Sequence, residues 1–166
     1  MILSEPKPKL EEAIALLNLG LNDEDLALID SLLHTEPCQR TFLVAVTIFN
    51  RLEHFDRAAK CGDEALKFRD HCEPEDLFQI SLAYNFSGRL RDSYELERSI
   101  QPMSNDISLV RLYGLACKAS RLGHYREALH HFLSSFRFHN VESLDAHRKI
   151  FLDSEMADLW GRIPEM

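Results

Sequence analysis

Eight histidines and four cysteines are the residues of this chain that could hold a metal ion or carry a reactive group. Their spacing argues against both roles. His130 and His131 are adjacent. On a helix they point ~100° apart and do not share an ion as an i, i+4 pair does. No HExxH occurs, and His71 stands at a predicted helix end, where a histidine complements the dipole. No two of Cys38, Cys61, Cys72 and Cys117 have a CxxC spacing, which excludes a zinc ribbon or thioredoxin-like pair. They fall in apolar or helical stretches and read as reduced thiols serving as small core residues. The acidic clusters Asp23-Glu24-Asp25 and Glu73 to Asp76 open predicted helices, so capping accounts for them. A GxSxG, a phosphate-binding glycine loop and a dinucleotide fingerprint are all missing, and six scattered glycines do not make one. The expectation is a protein that is not an enzyme, with no cofactor and no metal.

What these residues lack in local chemistry they show in long-range order. Gly88 and Gly123 lie 35 residues apart, each between two apolar helical stretches. Another step of 35 back reaches Glu53-His54-Phe55, which keeps the aromatic and loses the glycine. Small residues follow each turn at Ala58, Ser93 and Ala128, and a second stripe runs through Ala65, Ile100 and Ser135. Before each turn, Phe42, Leu77 and Leu112 align, then Ala45, Ile80 and Leu115, then Phe49, Tyr84 and Ala119. Within a copy the period is helical: Phe42, Ala45, Val46 and Phe49 fall at i, i+3, i+4 and i+7. Pro74, with acids on both sides, suits a first helical turn. Asn22, three residues before Asp25, has the pattern of an N-cap, and Pro37 and Pro102 mark boundaries between helix pairs.

Length and composition fit one ordinary globular domain of 166 residues, 45% hydrophobic and 28% charged. The longest apolar run, Thr41 to Phe49, is too short to span a membrane. The N-terminus shows no basic region followed by an apolar stretch, so the expected location is cytoplasmic. The net charge of -8 is unevenly spread. Residues 1–36 carry eight acids against two bases, 141–166 six against three, and 37–140 thirteen against fourteen. Acidic ends and a neutral middle argue against nucleic-acid binding, which needs a basic face. They suit a stacked array with solvated ends.

The 35-residue pattern resembles the tetratricopeptide repeat (TPR) family, whose unit is a pair of antiparallel helices. The copy at 109–142 carries Leu112, Leu115, Ala116, Gly123, Tyr125, Ala128 and Phe132 in the family's pattern. The copy at 39–73 carries Phe42, Phe49, Phe55, Ala58 and Ala65. The copy at 74–108 keeps Tyr84 and Gly88 but has Ser93 and Glu97 where alanine and an aromatic are usual. The resemblance implies an all-α fold, a right-handed superhelix of antiparallel helix pairs in a TPR-like α-solenoid. One domain, 1–166, is expected. Residues 9–35 form a degenerate capping pair, with Leu10, Ile14, Leu17 and Leu21 on one side of its first helix. Residues 143–166 form C-terminal capping helices around Trp160.

In such a solenoid the first helix of each repeat lines a concave face. The resemblance therefore implies a groove built from Arg40, Leu43, Thr47, Asn50 and Arg51, then Phe78, Leu82, Asn85 and Phe86, then Tyr113, Cys117 and Arg121. Glu75 from the second copy and Val110 from the third lie on the same face. The groove is locally basic and aromatic, and its asparagines can pin a peptide backbone. The expected partner is a protein or peptide, extended or helical, with apolar anchors and some acidic character, and the expected role is that of an adaptor or assembly factor. The lysine–asparagine–arginine clamp of the family's chaperone-tail binders is absent, since its positions hold Leu43, Thr47, Gln79, Val110 and Gly114. Two alternatives stand beside this reading. One is a bacterial secretion-type chaperone that holds a dedicated client, with a homodimer formed through the N-terminal helices. The other is a groove filled by the chain's own N-terminal helices, which would bury Phe78, Phe86 and Tyr113. No membrane insertion is expected.

Overall fold

The computed structural model describes residues 7–100 and 105–135. Among the described residues, eight α-helices follow one another in chain order: α1 (Lys7–Leu19), α2 (Asn22–Thr35), α3 (Gln39–Arg51), α4 (Phe55–Ala65), α5 (Pro74–Phe86), α6 (Leu90–Arg98), α7 (Asn105–Arg121) and α8 (Tyr125–Ser135). A 3-10 turn, Leu66–His71, extends α4, and there is no strand among the described residues. The end of the third repeat, Pro102 and the C-terminal cap around Trp160 lie outside the described residues.

One backbone device ends every odd-numbered helix. Gly20, Gly88 and Gly123 have φ of 74°, 84° and 78°, and Glu53 takes the same left-handed conformation at 61°. At each, the amide N–H bonds the carbonyl three residues back and the next N–H bonds the carbonyl five back. These pairs are Glu53 to Asn50 and His54 to Phe49, Gly88 to Asn85 and Arg89 to Tyr84, and Gly123 to Ser120 and His124 to Ala119. Gly20 to Leu17 and Leu21 to Leu16 repeat it. This is the Schellman closure, which satisfies carbonyls the helix leaves open and reverses the chain within two residues. The repeat thus reaches back to α1, and it persists at Glu53 after the glycine is lost.

Helix starts are less uniform. Glu73 caps α5 with Pro74 in its first turn, and its N–H donates to Asp76 Oδ2 at 3.0 Å in a capping box. The Asn22 cap does not form. Leu21 is the cap residue, its carbonyl accepting from the Asp25 N–H at 3.0 Å, and Asn22 is already helical. The closure at Gly20 leaves two residues, Gly20 and Leu21, between α1 and α2, so Leu21 takes the cap position and Asn22 is already inside the helix.

The chain divides into two compact units, Met1–Arg89 and Leu90–Met166. In the first, α1 packs on α2, α3 on α4, and α1, α3 and α5 neighbour one another in turn, with α2 meeting α3 and α4 meeting α5. The aligned columns are its core: Ala45, Ile80, Ala58 and Ala65 are fully buried, and Phe49 and Tyr84 nearly so. Small residues permit close contact there, and a Cβ on Gly62 of α4 would lie 2.7 Å from Ile80 Cγ2. Two rings of the Phe49–Tyr84 column carry a cation: the Arg57 guanidinium sits 4.1 Å from the Phe49 centroid and Arg89 4.0 Å from Tyr84. Asp63 accepts from Tyr84 Oη at 2.7 Å and from Arg89. Burial pushes the Asp63 carboxyl up, but these two hydrogen bonds outweigh it and hold the group below its usual value. On α1 only part of the expected stripe is covered. Leu10, Ala13 and Leu17 are buried, whereas Ile14 and Leu21 are 42% exposed, because the covered face of this short helix follows the i, i+3, i+7 positions alone.

In the second unit α7 packs against both α6 and α8. Tyr94, Leu115, Ala116, Cys117, Ala119, Ala128 and Phe132 form its core, with Tyr113, Leu122, Tyr125 and Leu129 against them. Glu97, standing where the family has an aromatic, is buried and paired with Lys118 Nζ across α6 and α7. Arg111 reinforces this contact, donating to the carbonyls of Glu97 at 3.2 Å and Ile100 at 2.8 Å.

Candidate peptide-binding face

The first unit brings together the expected groove residues of α3 and α5, two helices that pack side by side. Arg40 and Thr47 are exposed, while Leu43, Phe78 and Leu82 are half-buried. Thr47 Oγ1 donates to its own helix at Leu43 O, 3.3 Å. Arg51 is exposed, with Nη1 3.1 Å from Asn18 Oδ1 on α1. Phe86, the last residue of α5, is 58% exposed and stacks on Phe55, the first residue of α4, with centroids 4.7 Å apart at 27°. Its ring therefore sits at the hairpin edge of the unit, where one face is covered and the other is free for contact.

The asparagines show a feature the sequence reading did not anticipate. Asn50 Nδ2 donates to Gln79 O at 2.8 Å and to Gln79 Oε1 at 3.2 Å, tying α3 to α5. Among the described residues, Asn50 Oδ1 and Asn85 Oδ1 are both buried without a hydrogen-bond partner, and so is Ser120 Oγ. Residues 50, 85 and 120 are one column of the 35-residue repeat, each supplying the carbonyl that accepts the first bond of the Schellman closure. A buried acceptor left unmade costs about 1–3 kcal/mol. Ser120 is 1% exposed and stays inside the second unit. Asn50 and Asn85 are only half-buried, and the soft terminal torsion of asparagine can turn such an oxygen outward to an incoming N–H.

No family model matches the chain, and no curated protein does. Solved structures do. MamA from Desulfovibrio magneticus RS-1 aligns with a TM-score of 0.68 at 17% identity, over 81% of this chain and 75% of that one. A double mutant of MamA RS-1 gives 0.69 with the same identity and coverage. YrrB, described as a TPR protein with an unusual peptide-binding site, gives 0.69 at 13% identity, over 93% of this chain and 82% of that one.

The chain has a TPR-type α-solenoid fold. In TPR terms α3, α5 and α7 are first helices and α4, α6 and α8 second helices, with α1 and α2 as a further pair ahead of them. The expected TPR groove residues of the second unit are placed differently from one another. Tyr113 is half-buried against the core and Arg121 is exposed. Cys117 is 4% exposed and part of the core itself. Its burial takes it out of reach of a ligand, which corrects its place in the groove. Cys61 is likewise buried, and burial pushes its thiol up to about 11, which keeps it protonated and unreactive. No described helix is long and apolar enough to cross a membrane.

Proposed function

We propose that the chain is a protein–protein interaction module, an adaptor or assembly factor, that grips a peptide on the face formed by α3 and α5. The observation that carries this reading is the pair of repeat-related asparagines, Asn50 and Asn85, whose side-chain carbonyls lack a partner beside half-buried Leu43, Phe78 and Leu82. Such a pair offers two acceptors one repeat apart to the N–H groups of a bound backbone, and the apolar neighbours offer sites for its anchors. Exposed Arg40 and Arg51 favour a peptide with acidic residues. The peptide-binding site named for YrrB supports the same class of ligand.

The test is a quantitative pull-down from the source organism's lysate with wild type and an Asn85→Leu/Phe86→Ala variant, the fold of each checked by circular dichroism. Overlapping peptides from any captured protein then locate the bound segment. The expected result is one segment with apolar anchors and acidic residues, bound by wild type and lost by the folded variant. Equal binding by both would refute the α3–α5 face as the site.

A further inference from the structure

Second-helix surfaces of the second unit hold a cluster with a different chemistry. On α8, Arg126 and His130 form one i, i+4 row and Glu127 and His131 the adjacent one. Arg98 faces them from α6, and these five side chains line an open cleft of about 430 Å³. Two of the lining side chains meet the fully buried Tyr94, whose hydroxyl donates to Glu127 Oε2 and lies 3.4 Å from His131 Nε2. The Tyr94 ring also meets His131 edge-on, with centroids 6.2 Å apart.

The distribution of partners in this cleft is uneven. Glu127 is its only acid and is already engaged, by the Tyr94 hydroxyl and by Arg98 Nη1 at 3.5 Å. The Tyr94 bond is the main reason its carboxyl lies below the usual value. Arg126 makes no ion pair or hydrogen bond among the described residues. Among the described residues, His130 meets the His131 ring, with centroids 5.9 Å apart. Two guanidinium groups thus face one carboxylate, with two imidazoles beside them. An oxyanion is the ligand that such a set lacks. Two guanidinium forks and two imidazoles supply more donors than the two oxygens of a carboxylate take up, and they suit the three terminal oxygens of a phosphate ester. The lining has no aliphatic or indole wall to receive a nucleobase.

We infer that the Arg98–Arg126–His130–His131 cleft binds a phosphate group, carried on a phosphorylated partner side chain or present as the free inorganic ion. The site shares no residue with the α3–α5 face and stands independently of it. Around His131, the charged and titratable groups are Tyr94 and Arg98 from α6, Arg111 from α7, and Glu127 and His130 from its own helix. Burial first, and then the neighbouring cations, hold the His131 imidazole below its ordinary value against the pull of Glu127. A bound phosphate anion offsets the neighbouring cations, so it raises the His131 midpoint.

The experiment titrates the full chain with inorganic phosphate and, separately, with a short phosphoserine peptide and its unphosphorylated form. The readouts are calorimetry and the imidazole resonances, at matched ionic strength in chloride. The expected result is saturable binding, with the His131 midpoint moving up when phosphate is bound. Arg126→Gln, a change at an exposed position, should weaken binding about tenfold or more without altering the thermal midpoint of the free protein. Tighter binding of the phosphoserine peptide than of inorganic phosphate assigns the ligand to a modified partner, and the reverse order assigns it to the free ion. The inference fails if neither phosphate source moves the His130 and His131 resonances, or if Arg126→Gln binds as wild type does.

Discussion

Glu53 offers the sharpest test of how the repeat is encoded, because it holds at φ 61° a position that Gly20, Gly88 and Gly123 hold at 74°, 84° and 78°. A left-handed conformation costs an L-residue about 1–2 kcal/mol relative to its preferred regions. Glycine escapes that cost but loses about 0.5–1 kcal/mol more backbone entropy on folding. Glu53 is exposed and makes no side-chain bond or ion pair among the described residues, so its replacement removes nothing else. Glu53→Gly should therefore stabilise the protein by about 0.5–1 kcal/mol, raising the thermal midpoint by a few degrees. The converse changes act on bare backbone: a Cβ at Gly88 or Gly123 meets no atom within 4 Å. Gly88→Ala and Gly123→Ala should each cost a similar amount, with no steric contribution. Glu53→Ala is the control, since alanine carries the same strain and should match wild type within about 0.5 kcal/mol. Urea titrations followed by circular dichroism read all four. If Glu53→Gly is no more stable than Glu53→Ala, the left-handed residue does not limit the hairpin, and the reasoning from the repeated closure is wrong.

Three other perturbations test the interior. Gly62→Ala should destabilise by about 1–3 kcal/mol in urea unfolding, because the added methyl meets Ile80 Cγ2 at 2.7 Å; an unchanged midpoint would mean that α4 and α5 are further apart than described. Lys118→Met should cost about 3–5 kcal/mol by leaving the Glu97 carboxylate buried without its cation, whereas Glu97→Leu/Lys118→Met together should recover most of that loss. Asp25 is fully buried, neither carboxylate oxygen is hydrogen-bonded among the described residues, and desolvation raises its folded-state pKa above the unfolded value. The fold thus favours the protonated acid, and stability from this group falls as pH rises from the unfolded value through the folded one. Asp25→Asn should raise the urea midpoint at about pH 7 and much less at about pH 3.5; an equal gain at both would refute the assignment.

The parts of this fold legible in the sequence were those written in side-chain volume. The columns through Ala45, Ile80 and Leu115 and through Ala58, Ser93 and Ala128 are all buried, because apolar or small residues at a fixed period have one way to be covered in a stack of helix pairs. What was not legible depends on the backbone or on partners from another helix. Glu53 gives no sign by its type that it will adopt the glycine conformation, since the helix pair around it imposes that geometry. Asn22 has the composition of a cap but not its place, because the two-residue connection Gly20-Leu21 puts Leu21 at the cap. Cys117 occupies the register of a groove residue, yet α6 and α8 supply Tyr94, Ala128 and Phe132 to the cluster that covers it.

The two candidate sites differ in the same way. Asn50 and Asn85 were visible as a repeated residue type, but their unpartnered oxygens follow from where the packing of the helices leaves each side chain. Ser120 keeps the column polar in a third copy, where its hydroxyl is buried and no backbone can reach it. The α8 cluster was visible as two adjacent histidines with the wrong spacing for a metal, and that test asked only what the imidazoles could do alone. Anion recognition depends on the balance of charge across two helices: Arg98 comes from α6, and Tyr94 beneath them occupies Glu127. A periodic pattern records which residues are buried together in every copy. A site arises where one copy departs from the others, and its chemistry is set by whichever side chain the next helix brings to meet it.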